Sequence, residues 1–207
     1  MLDSEQNPNA EGEVFKIDVA NLPSSIVDTW CQDISDPALR AAVINTPHLK
    51  ERIFHDILKN RGVDPDDLER NFENQELVSE LLSADLDELC LEIGCAWHAK
   101  RLAIAIASSE HKKMIAELPR KALQNGLKFR SYKSLSKAPS SFSAPVLKGE
   151  GRSCIAAWIS TLPKSVAVQV EIALGFNEEP KGADAFFRRA QLCSAVLTTH
   201  MSDGLSQ

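Results

Sequence analysis

Residues 76–118 read ELVSELLSADLDELCLEIGCAWHAKRLAIAIASSEHKKMIAEL. Apolar side chains recur there at spacings of three and four, through Leu77, Leu81, Leu82, Leu86, Leu89, Ile93, Trp97, Leu102, Ile106, Met114 and Ile115. That is the period of a helix with a buried stripe. The stretch predicts two long helices, with breaks near Ala84-Asp85 and at Ser108-Ser109-Glu110, because serine favours a cap over a helix interior. Small residues at Ala96, Ala99, Ala103, Ala105 and Ala107 permit close helix crossing and push this segment toward the middle of a bundle.

On the N-terminal side the same period continues. Ser24 or Ser25 caps a short helix carrying Ile26, Val27, Trp30 and Ile34, which stops at Ser35-Asp36-Pro37. Asp36 then caps a second helix with Pro37 at its first position. Pro47 divides the following stretch in two, and Gly62 closes it just beyond a helix C-terminus. A further short helix is expected through Leu68 and Phe72. On the C-terminal side, Arg152 to Leu162 reads as a helix ending at Pro163, and Ala183 to Met201 as a last helix. Val166, Val168, Val170, Ile172 and Leu174 alternate with Ala167, Gln169, Glu171 and Ala173, a β-branched run that suits a strand or a helix equally. The expected fold is mainly α, a helical bundle, with a short β element in the C-terminal third as the open alternative. Its organisation reads as a flexible acidic arm over 1–21 and a main helical domain over 22–137. A linker or long loop over 138–150 follows, then a C-terminal helical subdomain over 151–207 that packs on the main body.

The 207 residues are 43% hydrophobic and 25% charged, with a net charge of −6. That balance is too apolar for a disordered chain. Charge is uneven: Met1 to Glu92 holds 21 acidic and 7 basic residues, whereas Ile93 to Gln207 holds 8 acidic and 16 basic. Such bipolarity points to complementary partner surfaces or to docking of one half on the other. No stretch reaches the roughly 18–20 apolar residues of a membrane span, and the N-terminus lacks a secretory pattern, so a cytoplasmic location is expected. The five cysteines, Cys31, Cys90, Cys95, Cys154 and Cys193, are scattered over apolar faces as reduced core thiols are.

Chemistry-bearing motifs are sparse. Cys90, Cys95 and His98 share a helix, but a structural zinc site needs four ligands at established spacings, so these read as core residues and no metal is expected. Asp64, Asp66, Asp67 and Glu69 lack the glycine and the alternation of a calcium loop. His55-Asp56 reads as a helix-surface pair. No Gly-x-Ser-x-Gly or phosphate-cradling glycine loop is present, so no catalytic residue and no cofactor is assigned. Phe129 and Tyr132 among the cations of 112–137 form the combination that single-stranded nucleic acid binders use, which keeps a nucleic-acid-binding regulator as the alternative reading.

Two segments carry a resemblance. Leu91-Glu92-Ile93-Gly94-Cys95-Ala96-Trp97-His98-Ala99-Lys100-Arg101-Leu102, with the helix to Leu118, resembles the Gly-x-x-x-His central helix of the type III secretion sorting-platform adaptors, the SctK/YscK family. Gly151-Arg152-Ser153-Cys154-Ile155-Ala156-Ala157-Trp158-Ile159-Ser160-Thr161-Leu162-Pro163 is similar to that family's C-terminal Trp and Leu-Pro pattern. Leu174-Gly175-Phe176 departs from it where a Leu-Pro ending belongs. The resemblance implies a bacterial cytoplasmic adaptor without enzymatic activity, peripheral to the inner-membrane apparatus, and points to the rhizobial, nodulation-associated branch. Its implied partners are the ring's cytosolic domain and the pod and spoke proteins, with no small-molecule substrate. Docking is expected to be steered by charge at Asp64, Asp66, Asp67 and Glu69 and at Lys112, Lys113, Lys121, Lys128 and Arg130. Phe129, Tyr132 and Trp30 are the candidate anchors. Gly94, His98 and Trp158 are expected to hold the fold.

Overall fold

The computed structural model describes residues 15–22, 24–65, 72–108, 112–132, 141–176 and 185–204. They form helices and no strand, so the fold is mainly α. None of these helices is long and apolar enough to cross a membrane. Contacts divide the chain into two compact units, Met1–Gln75 with Pro163–Gln169, and Glu76–Leu162 with Val170–Gln207.

In the first unit a 3-10 turn, Val19–Asn21, is capped by Asp18, whose side chain accepts from Ala20 N at 3.2 Å. Helices α1 (Ser24–Trp30), α2 (Pro37–Asn45) and α3 (Pro47–Asn60) follow. Asp36 Oδ1 accepts from Ala38 N at 2.8 Å, and Pro37 and Pro47 open their helices where a missing N–H costs nothing. Gly62, at φ 71°, ends α3: its N–H donates to Lys59 O and that of Val63 to Leu58 O, the paired reverse bonds of a left-handed helix stop. Val27, Cys31 and Val43 form the core here, with Leu22, Trp30, Ile34, Ile44, Leu49 and Ile53 packed round them. Two polar ties fasten it: Arg40 Nε sits 2.6 Å from Asp28 Oδ1, and the largely buried Lys50 donates to Ala20 O at 3.1 Å.

The second unit contains α4 (Gln75–Ser83), α5 (Leu86–Trp97), α6 (Ala99–Ala107), α7 (Lys112–Ala116), α8 (Arg120–Leu127), α9 (Ala144–Ile159), the C-terminal part of α10 (Lys164–Leu174) from Val170 onward, and α11 (Phe186–Gly204). Asp85 caps α5 by accepting from Glu88 N at 2.9 Å. From Leu89 to Trp97 every residue of α5 is buried, because α8, α9 and α11 surround it. The expected break at Asp85 and the end before Ser108 are present. The two long helices are not, because a third break falls at His98 (φ −104°, ψ 12°) and separates α5 from α6.

The structure decides the open reading of 166–174 and differs from other expectations. The alternating run 166–174 lies in α10, whose Val166, Val168, Gln169, Val170, Ile172 and Ala173 are buried while Ala167, Glu171 and Leu174 are half-buried; a helix with a wide buried face carries the same composition as a strand. The linker placed over 138–150 contains the first two turns of α9, which starts at Ala144 with Pro145 in its first turn. Of the helix expected through Leu68 and Phe72, residues 66–71 lie outside the described residues and Phe72 is not helical. Within the expected main domain 22–137, residues 22–75 belong to the first unit and 76–132 to the second.

Candidate functional site

Close helix crossing makes the second unit rigid. A Cβ on Gly94 of α5 would lie 1.9 Å from Leu147 O of α9, and one on Gly151 of α9 would lie 1.8 Å from Cys90 O of α5. On the other side of α5, a Cβ on Gly126 of α8 would fall 2.4 Å from Cys95 Cβ. Backbone thus rests on backbone at three points round α5, and only glycine leaves the room. Trp158 is buried on α9, so Gly94 and Trp158 sit where fold-holding residues belong.

Titratable groups converge inside this unit in two clusters. Glu92 on α5, 2% exposed, has Oε1 at 2.8 Å from Nε2 of His200 on α11, and its Oε2 accepts from Nδ2 of Asn125 on α8 at 3.0 Å. Glu80 on α4 stands 3.8 Å from the other ring nitrogen of His200. The bond from Glu92 raises the pKa of His200, against partial burial and the nearby Lys121. A second cluster centres on Arg189 of α11, which stacks 4.6 Å over the Trp97 ring while Nη2 reaches Glu150 Oε2 at 2.7 Å. His98 is buried, and desolvation drives its pKa down to about 4, which keeps the ring neutral at pH 7. Burial pushes the thiols of Cys95 and Cys154 up to about 12 and that of Cys193 well above its ordinary value. Such thiols are poor nucleophiles and poor metal ligands. No group of three or more His, Cys, Asp or Glu among the described residues is placed to hold a metal ion.

The expected docking residues are divided between the two units. Asp66, Asp67 and Glu69 lie outside the described residues, as does the side chain of Lys112, and Asp64 is exposed in the first unit. The others belong to the second unit. Lys121 is 3.0 Å from Glu88 and Lys128 is 3.1 Å from Asp203, so both are paired within the chain. Tyr132 donates its hydroxyl to Arg188 O at 2.9 Å, which ties the segment after α8 to α11. Lys113 and Arg130 are exposed, and Phe129 is half-buried. The acidic N-terminal turn of α5 is likewise answered from the basic half, since Asp87 is 2.6 Å from Lys148 and 3.8 Å from Arg152.

A different feature stands out beside this basic segment. α6, α7 and α8 enclose an open hollow of about 460 Å³. Ala105 and Ile106 of α6 form one wall, Ile115 and Ala116 of α7 another, and Leu118, Arg120 and Leu123 complete it. Its floor belongs to the core, for Ala105, Ile115 and Leu118 pack with Leu102, Ala122 and Phe142. Ile106, 45% exposed, continues the buried stripe of α6 past the point where the chain covers it. Sequence reasoning counted Ile106 with the core and missed the hollow. The signal was there: a five-residue run with Leu102, Ile104 and Ile106 spreads apolar residues over more of the helix circumference than one buried face accepts.

No family model, no curated protein and no solved structure matches the chain.

Proposed function

We propose that the chain is a non-enzymatic adaptor that holds other proteins together. In its finer form the proposal makes it a cytoplasmic component of a type III secretion sorting platform, bridging the inner-membrane ring's cytosolic domain to the pod and spoke proteins. The observation that carries the coarser reading is the apolar hollow on α6, α7 and α8, mounted on a core whose helices meet backbone to backbone. Concave apolar surface on a rigid support suits recognition of another macromolecule. The converging acid, imidazole and thiol groups suit the same reading: Glu92 and His200 bind each other, and the thiols are buried. The resemblance of 91–102 and 151–163 to the sorting-platform adaptors supports the finer form.

The alternative, a nucleic-acid-binding regulator using 112–137, draws less support. Lys121 and Lys128 are occupied by carboxylates of the same chain, and the tip of Tyr132 is tied to Arg188. A continuous basic groove with free stacking faces is what that function needs. The test is a pull-down of the tagged full chain with the ring's cytosolic domain and the pod protein, against duplex DNA as competitor. Retention of either protein supports the adaptor; retention of DNA alone, falling steeply with salt, supports the regulator.

A further inference from the structure

We propose that the hollow between α6, α7 and α8 receives an acidic amphipathic helix of a partner protein. The proposal rests on the adaptor reading and adds the chemistry of what is bound.

The described walls of the hollow are helices and one short connection, so it offers side-chain packing and no open sheet edge. An extended peptide would leave its own N–H and C=O groups without partners there. A helix satisfies its backbone by itself and can set apolar residues spaced three and four apart into a groove. The hollow holds about 460 Å³. It gives room for a few apolar side chains against Ile106, Ile115 and Leu123.

Charge selects the class of helix. Arg120 is part of the lining, Lys113 is exposed on α7, and Lys100 is exposed on α6. Across 99–132 the sequence places eight Lys and Arg against two Asp and Glu. Lys121 and Lys128 are paired with Glu88 and Asp203, which leaves Lys100, Lys113 and Arg120 as the exposed cations on α6, α7 and the start of α8, against Glu117 on the short connection between α7 and α8. A helix with carboxylates flanking its apolar stripe would meet this field favourably, and a basic one would be repelled. Nucleic acid gains nothing from an apolar floor, since its phosphates need cations rather than isoleucine.

The experiment selects a random peptide library displayed on phage against the full chain, then titrates the synthesised peptides against variants by fluorescence anisotropy. The expected winners carry net negative charge and apolar residues at i, i+3 or i+4, and i+7. Ile106→Asp and Ala116→Glu, both at exposed positions, should each weaken binding at least about tenfold, or about 1.4 kcal/mol. Ile104→Asp, exposed on α6 about 200° round the helix from Ile106, should leave it unchanged. A Lys113→Glu, Arg120→Glu double variant should turn the selection toward basic peptides. Failure to enrich, enrichment of basic or unpatterned peptides, equal binding to Ile106→Asp, or displacement of the peptides by duplex DNA or by a second copy of the chain would overturn the proposal. The adaptor reading is separable: ring or pod protein retained equally by the wild-type chain and Ile106→Asp would refute the hollow as its docking site and leave the adaptor standing.

Discussion

Replacing Gly151 by alanine tests the rigidity on which the docking surface depends. The new methyl carbon would lie 1.8 Å from Cys90 O, 2.6 Å from Cys90 C and 2.9 Å from Cys90 Cα, whereas ordinary contact begins at 3.4 Å. α9 and α5 would have to part by about 1.6 Å at that point, and both contacting surfaces are helix backbone with no side chain to swing aside. Overpacking of this kind typically costs about 1–3 kcal/mol, and a gap of 0.5–1 Å already forfeits a quarter to a half of each neighbouring dispersion contact. We therefore expect a gross cost of about 3–4 kcal/mol, offset by about 1 kcal/mol from alanine's better helix propensity. For a chain of this size the net loss of about 2–3 kcal/mol lowers Tm by roughly 5–10 °C. Gly149 on the same helix is the control: a Cβ there meets nothing within 4 Å, so Gly149→Ala should raise Tm by about 2–4 °C. Thermal unfolding followed by circular dichroism compares the two. If Gly151→Ala proves as stable as Gly149→Ala, the backbone-on-backbone crossing of α5 and α9 is wrong.

Three further outcomes follow from the buried titratable groups. His98 refuses a proton until about pH 4, whereas the unfolded residue takes one near its ordinary 6.5, so its contribution makes stability fall as pH drops between those values, by at most on the order of 3 kcal/mol. Urea unfolding of His98→Gln at pH 7 and pH 5 should show a shallower acid loss than the wild type; an identical pH slope would sink the assignment. His200 has the opposite sign: raised by Glu92, its contribution is complete below the unfolded pKa and is lost as pH rises through the folded one. His200→Gln should accordingly cost more at pH 6 than at pH 8.5, and an equal cost at both would refute the bond. All five cysteines are buried and free, so a thiol-specific chromogenic disulfide should react slowly with the native chain at pH 8 and rapidly, at five sites, in denaturant. A fast native site would contradict the burial of these thiols.

Local chemistry made much of this fold legible. Asp36-Pro37, Pro47, Gly62 and Asp85 mark helix ends by caps, by missing N–H groups and by left-handed stops, and each lies where those rules place it. What escaped depends on tertiary contact. Ser143, Pro145, Gly149 and Gly151 look like linker composition, yet Pro145 falls in a first turn that tolerates it and Gly151 is required by the neighbouring helix. The break at His98 has neither proline nor glycine to announce it. The candidate site was legible only in its charge. Lys121 and Lys128 were visible as cations, but their partners Glu88 and Asp203 are remote in sequence, as are Glu92 and His200, 108 residues apart. No period or spacing rule links such residues, so which charges face a partner emerges only from the packing.

The central claim, that this chain works by joining proteins, is tested most directly by light scattering on purified mixtures with the secretion ring's cytosolic domain and with the pod protein. The account predicts a complex of defined mass with at least one of them, and a ternary species when both are added. Three components that elute separately at micromolar concentration would contradict it.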